Sequence, residues 1–540
     1  MSSAKNYFLN LWKNNRAECV CFSLFALLAL LSFKVHEPWY DEVQAWQIAK
    51  TATWYDILFR IPHFEGHPPF WHLLLALPAK AGIAGLLALR FIGMATMLLS
   101  GFLLIFKAPF PRWIKFTLPF TYFLFYQYGI IVRPYGLMAL LLILLAITFP
   151  SKDEHPGRFV GLLAALCATH LFGIAIAGGI TVAWLWDMKD NRPWGVFLCS
   201  LWTDKRFHWM LGLLLWALVL CLSIMPASNT RADQPYEASV LLNMLYVLFG
   251  LPADAFFTNL YKAFLIRRAV FQPNLAYFST LLIGVLGWGF LLAFLPKQKR
   301  KYIWLPYMVM ASLMLLYCSQ HHIGLFTLLV IWVLWIALQD VRFSLPAWPE
   351  FAKKIANILL TFAILIPLFW TAANLYADSR LSVFSGKETV AFLKENGLLN
   401  KRIFSAWGRK NQNGRNIHNQ TWAVQISFYT PKNIFANFHH QGSKMYNSFE
   451  ALEGDKETTF ARWRAGGVPE VLVGEVHLEE VWPEMTTEDY IPVYKITSYS
   501  FWKFDPPMNI PAFIYVRRDL AQALQLQSIL PENANGTAVL

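Results

Sequence analysis

"HPPFWHLLLALPAKAG", residues 67–82, is the stretch whose reading decides the topology. It is apolar, yet Pro78 interrupts it after Leu77, and a spanning helix needs about 20 residues. We read it as a membrane-surface or re-entrant helix. The run before it, about 18–35, follows the basic residues Lys5, Lys13 and Arg16, so it starts on the inner side and leaves 36–83 outside. The next run, about 84–106, must then point inward and end at Lys107, Arg112 and Lys115 of "KAPFPRWIK".

The rest of the chain follows by alternation. Its 540 residues are 56% hydrophobic and only 15% charged, against about a quarter charged in soluble domains. Spans are expected at about 18–35, 84–106, 116–131, 135–150, 158–170, 171–187, 207–226, 275–295, 302–319, 323–339 and 354–376, about eleven in all. The basic loops "SKDEHPGR", "DMKDNRPW…TDKR", "PKQKRK" and "QDVR…AKK" then all fall inside. Counting 68–82 as a full span would split them between the two sides. The same Lys/Arg bias accounts for the net charge of +13 without nucleic acid. The fold class is a polytopic α-helical membrane protein. The expected site is the cell (inner) membrane, with the N-terminus cytoplasmic and the first helix retained.

Residues 1–376 make up the transmembrane domain, with a first outer loop at 36–83 and a long outer loop at 227–274. Beyond it, "SGKETVAFLKENG" reads as an amphipathic helix, and "KRIFSAW", "PEVLVGEV" and "PAFIYVRR" read as strands. A mixed α/β extracytoplasmic domain over 377–540 is expected. Cys19, Cys21, Cys167, Cys199, Cys221 and Cys318 all lie in or beside the apolar half, so no disulfide framework is implied.

The outer helix ends collect the chemistry. Asp41, Glu42, Glu65 and His67 come from the first loop, with Arg90 two turns into the next helix. Arg133 stands in "IIVRPYGL", His170 in "ATHLFG", and His321 and His322 in "CSQHHIGL". The long loop adds Lys262, Arg267 and Arg268. A carboxylate at this level can act as general base toward a hydroxyl. A guanidinium binds phosphate bidentately. Together these groups suit transfer of a sugar from a lipid-linked phosphate.

Three motifs also resemble a known superfamily. Asp41-Glu42 after the first helix, "EGHPPFWHLL" (65–74) and "LALRFIG" (87–93) are similar to the GT-C glycosyltransferases, nearest the protein O-mannosyltransferase and lipid A aminoarabinose transferase group. "VRPYGL", "HHIGL" and the "SGKETVAFLK" region look more like a bacterial branch of it. The resemblance implies an inverting, one-step transfer from a polyprenyl-phosphate sugar on the outer face. Asp41 would match the catalytic carboxylate, and Arg133 the donor-phosphate ligand. Glu42 would accompany Asp41, Arg90 and Arg267 would assist at the phosphate, and Glu65, His67, His321 and His322 would support the substrate. The superfamily's metal-dependent branch relies on further outer acids, often Asp-x-Asp, and none stands outside here. No cofactor is therefore expected, with a divalent metal held by His67, His321 and His322 the less favoured reading. The expected partners are the polyprenyl-phosphate sugar, a glycan, lipid or protein acceptor, and membrane lipid.

Each residue also has a plainer role. Asp41 suits a helix N-cap, Glu42 a first-turn acid, Pro68-Pro69 a helix start, and Arg90 or Arg133 an interfacial anchor. Two other functions compete with transfer. A flippase for lipid-linked sugars would bind phosphate without a base, and an envelope-assembly scaffold would need neither.

Overall fold

The structure is a computed structural model that describes residues 15–227, 240–257, 274–316, 318–340, 347–381, 385–405, 421–432, 434, 445–446, 465, 467–474, 489–500 and 508–529. The principal helices of the apolar half are, in chain order, α1 (Arg16–Val35), α2 (Tyr40–Thr51), α3 (Phe70–Lys80), α4 (Gly85–Lys107), α5 (Pro134–Thr148), α6 (Pro156–Thr169), α7 (Leu171–Lys189), α8 (Lys205–Ser223), α9 (Leu275–Phe294), α10 (Lys301–Leu316), α11 (Gly324–Leu338) and α12 (Glu350–Arg380). Among the described residues, eight helical stretches are long and apolar enough to cross a membrane: α1, α4, α7, α8, α9, α12, and α5 and α11 with the short turns that extend them. Leu24, Leu27, Leu30 and Leu31 of α1 stay exposed while Phe25, Ala29 and Phe33 pack inward, as expected of a helix with one face toward lipid. The chain is a multi-pass membrane protein.

Side-chain contacts define two ends. At one, Glu18 meets Arg112 and Lys115, Asp153 meets Lys152 and Arg206, Asp187 meets Lys301, and Asp340 meets Lys299. At the other, hydrogen bonds join His36 to Asp378 and Glu42, and Glu42 to Val132, while Arg133 meets Asp41 and His321. The basic loops thus gather opposite the first loop. The shorter helices α6 and α10 also run from one end to the other. They pack closely where glycine allows it: a Cβ on Gly179 of α7 would lie 2.3 Å from the Pro306 backbone of α10. Small residues at such crossings are what helix association in lipid relies on.

The structure differs from the sequence reading at several points. Residues 116–131 are not one helix. They form a short α-turn at Arg112–Thr117, a 3-10 turn at Leu118–Phe120 and a widened π-type turn at Phe123–Ile130. Pro119 removes a backbone donor there. The long outer loop 227–274 contains a helical stretch at Val240–Phe256, in which Val247, Leu251 and Asp254 are wholly buried against α9, α11 and α12. Asn243, Pro252 and Asp254 gave it the look of a loop. Asp41 is not the N-cap of α2: that place belongs to Trp39.

Helix α3, the stretch of 67–82, has 11 residues and so reaches about 16 Å, half the hydrocarbon core. It buries Trp71, Leu75 and Ala76 against α2 and leaves Phe70 and Leu77 exposed.

Helix α12 has 31 residues, about 46 Å, so its last turns stand beyond a hydrocarbon core of about 30 Å. They lead into a unit with helices α13 (Gly386–Glu395) and α14 (Thr421–Tyr429) and strands β1 (Ile403–Ser405), β2 (Val471–Gly474), β3 (Tyr490–Ser500) and β4 (Met508–Arg517). The sheet order is β1-β2-β4-β3, with β1 parallel to β2 and the other pairs antiparallel. Strands β1, β2 and β4 lie in segments read as strands. β3 was missed, since Pro492 and the register shift beside it break the pattern of a strand. Val43 of α2 belongs to this unit's buried core, beside Trp422, Val471 and Ile514. The first-loop helix is thus clamped between the membrane helices and the α/β unit.

Candidate active site

The site starts from the first turn of α2. Trp39 ends the extended segment after α1, and its carbonyl accepts the first helical bonds from Glu42 and Val43. Glu42, three residues on, folds back so that its Oε2 accepts the Trp39 N–H at 2.8 Å, the reciprocal half of a capping box. The same carboxylate reaches two distant elements. Its Oε1 accepts the Val132 N–H at 2.8 Å, and its Oε2 lies 3.2 Å from His36 Nε2. Glu42 is 1% exposed, so this buried acid ties the start of α2 to the turn before α5.

That turn carries Arg133, in extended conformation at the N-cap of α5. Its Nη1 lies 2.8 Å from Asp41 Oδ2 and 3.0 Å from His321 Nε2. The guanidinium also sits over the rings of Trp39 and Tyr135, at 5.3 and 5.1 Å from their centroids. Asp41 is the more open member of the pair, 29% exposed against 9% for Arg133. Burial raises the Asp41 carboxyl above its ordinary range; Arg133 opposes this and Glu42 adds to it.

Glu65 and His67 enter across Gly66, whose φ of +67° ends the short helix Pro62–Glu65. Glu65 accepts the Gln44 amide at 3.1 Å. Burial pushes its carboxyl up to about 7, with the Asp41 charge adding to the rise and the Gln44 bond and Arg133 opposing it. His67 packs its ring 4.4 Å from that of His170. Its pKa falls well below the ordinary value, first through burial and then through His170, Arg133 and His72.

The histidines form a wall beside Arg133. His170 caps α7 through the Phe172 N–H and meets the Tyr135 hydroxyl at 3.1 Å. The His321 and His322 rings are 4.2 Å apart, and those of His170 and His322 5.5 Å. Ser319 holds the pair: its N–H donates to His322 Nδ1, and its hydroxyl lies 2.9 Å from His321 Nε2. Among the described residues no group of three or more His, Cys, Asp or Glu has the geometry to hold a metal ion.

The structure therefore brings together Asp41, Glu42, Glu65, His67, Arg133, His321 and His322. Arg90 is placed differently: its Nη2 donates to the Lys34 carbonyl at the end of α1, at 3.1 Å. Arg267, with Lys262 and Arg268, lies outside the described residues. Sequence reasoning assigned nothing to His36, Tyr126, Tyr135 or Asp378, which complete the cluster from helix ends far apart in the chain.

No protein-family model matches the chain, and no curated protein matches it. Among solved structures it has a distant likeness to the arabinofuranosyltransferase AftD from Mycobacteria, with a TM-score of 0.38 and 12% identity over 92% of this chain and 39% of that one. A mutant of that enzyme gives 0.36 and 13%, over 92% and 41%. This chain spans about two-fifths of the length of the proteins it resembles.

Proposed function

We propose that this protein is a membrane glycosyltransferase that moves a sugar from a polyprenyl-phosphate donor to an envelope acceptor on the outer face. The observation that carries the reading is the Asp41–Arg133 pair at 2.8 Å. A half-open carboxylate and a buried, aromatic-stacked guanidinium meet at one helix end, at the level where a lipid's phosphate would lie.

In this reading the donor phosphate replaces Asp41 on the Arg133 guanidinium, which binds two phosphate oxygens. Asp41 loses its cation and becomes the stronger base. The acceptor oxygen attacks the anomeric carbon as Asp41 takes its proton. The bond from that carbon to the phosphate oxygen breaks, and polyprenyl phosphate leaves with the electron pair. A single displacement inverts the anomeric centre. Arg133 stabilises the charge developing on the leaving phosphate. His67 offers its buried Nδ1 to a sugar hydroxyl, while His321 acts through position, since its ring nitrogens meet Arg133 and Ser319. Glu42 acts through position, since its oxygens are taken by Trp39, Val132 and His36. The scheme needs no metal.

The test is mass spectrometry of the purified protein's co-extracted lipids, followed by turnover. Wild type should release sugar from a polyprenyl-phosphate donor, while Asp41→Asn should bind that donor and leave it intact. Full turnover by Asp41→Asn would sink the assignment of the base. Absence of any polyprenyl-phosphate sugar, bound or consumed, would sink the transferase reading.

A further inference from the structure

Three successive residues at the opening of the first loop are held by the C-terminal part of the chain. His36 Nδ1 lies 2.9 Å from Asp378 Oδ2, near the end of α12. Glu37 Oε1 accepts the Lys387 N–H at 3.1 Å, at the start of α13. The Pro38 carbonyl accepts the Gln425 amide of α14 at 3.4 Å. From the first of these contacts a continuous chain of bonds leads to the site. His36 Nε2 meets Glu42, Glu42 takes the Val132 N–H, and the next residue is Arg133, paired with Asp41.

We infer that His36 and Asp378 are positioning residues: a buried Asp378–His36–Glu42 relay, anchored on the last membrane helix, fixes the turn before α5 and with it the guanidinium over Asp41. Its consequence for catalysis rests on the transferase reading; its geometric consequence does not.

The chemistry of the three groups favours a charged relay over a set of neutral hydrogen bonds. His36 is 6% exposed and Glu42 1%, and the Asp378 side chain is 3% exposed. Two buried carboxylates on either side of one imidazole are compensated when that imidazole carries a proton. The other oxygen of Asp378 accepts the Tyr126 hydroxyl at 2.9 Å. The titratable groups in contact with His36 are thus Glu42 from α2 and Asp378 from α12, with Tyr126 from the broken segment behind Asp378. Burial alone would lower the His36 pKa; the two carboxylates outweigh it and raise the group to about 10. The relay therefore keeps its charge through the physiological range.

The test uses Asp378→Asn, which keeps an oxygen for Tyr126 but removes one of the two charges holding the imidazolium. His36→Gln serves as a second variant that keeps a donor and cannot titrate. The readout is hydrogen exchange at the Val132 amide in the full-length protein in detergent, with buried amides of α11 as the reference. Val132 protection should fall roughly tenfold in both variants while α11 is unchanged. In Asp378→Asn it should fall further at a lower pH than in wild type, because His36 loses its proton more readily with one carboxylate gone; in His36→Gln it should stay level. Turnover of a polyprenyl-phosphate sugar should show a raised KM in both variants, because Arg133 grips the donor.

Unchanged Val132 protection in both variants would overturn the relay. Equal loss at Val132 and in α11 would also overturn it, since the contacts would then hold the whole bundle and not the turn. Loss confined to Val132, with no donor turned over by wild type, would uphold the relay and sink the transferase reading.

Discussion

Asp41 and Glu42 are adjacent in sequence, yet the first turn of α2 points them into different surroundings. Glu42 is sealed in and its oxygens satisfy two backbone N–H groups and His36. Removing it strands those donors and leaves a buried cation short of a partner. Glu42→Ala should therefore lower stability by about 3–5 kcal/mol, read as unfolding in detergent. Asp41→Asn keeps an oxygen toward Arg133 on a side chain that is 29% exposed, so it should cost less than Glu42→Ala while abolishing sugar transfer. Equal destabilisation by the two would mean that Asp41 is as structural as its neighbour. Glu65 sets the pH dependence. Its carboxyl, pushed up to about 7, holds a proton in the folded state that the unfolded chain releases near pH 4.5. Its ionisation therefore opposes folding as pH rises toward 7, and that cost vanishes as pH falls. For turnover Asp41 is the base, and an inflection of kcat/KM near pH 7 would belong to Glu65, whose charge appears there beside the site. Glu65→Gln should remove that inflection and leave the rise set by Asp41 in place. A profile unchanged by Glu65→Gln would show that this carboxyl does not couple to the base.

Between helices, adjacent glycines of α7 offer an internal control. A Cβ on Gly179 would lie 2.3 Å from the Pro306 backbone, whereas one on Gly178 meets nothing within 4 Å. Gly179→Ala should cost about 1–3 kcal/mol by forcing α7 and α10 apart, and Gly178→Ala should be neutral or slightly stabilising. Thermal unfolding of the two variants side by side checks this, and equal melting would contradict the close crossing. The same scale explains what could be read in advance. Long apolar runs such as 85–107 and 171–189 declare themselves, because lipid admits only side chains of that kind. Pro78 does not end α3, which runs through it to Lys80 and stops before Gly82 at φ +80°; its 11 residues are still too few to span. The expected span 116–131 did not declare its break, because its composition is largely apolar and Pro119 is the main signal of the change. Val240–Phe256 was obscured by the opposite effect: Asn243 and Asp254 are buried polar residues that composition assigns to a loop. At the site, Asp41, Glu65, His67, Arg133, His321 and His322 were visible because each stands just beyond a recognisable helix end. Asp378 was hidden, since α12 continues past the point where its apolar run stops and its last turns read as a linker. Trp39 was hidden as a cap because its side chain has no oxygen, and the cap function is supplied by Glu42 from three residues on.

For the molecule as a whole, the arrangement has two ends of opposite character. One gathers the first loop, the histidine wall and the α/β unit; the other gathers Glu18, Asp153, Asp187 and Asp340 with their Lys and Arg partners. Excess Lys and Arg on short loops marks the cytoplasmic side, so the carboxylates and Arg133 should face outward, where polyprenyl-phosphate sugars would be consumed. Thr53 and Glu154 are exposed residues at the two ends. In a background with the six native cysteines replaced, Thr53→Cys should react with a membrane-impermeant maleimide in intact cells, and Glu154→Cys should react only after permeabilisation. Reversed labelling would put the site in the cytoplasm, where the soluble pool of nucleotide sugars makes a lipid-linked donor unnecessary, and would remove the reason for a carboxylate pair at the outer headgroup level. Labelling of both positions from outside would contradict the parity itself, and the first element to re-examine would be α3, whose short length fixes the direction of every helix after it.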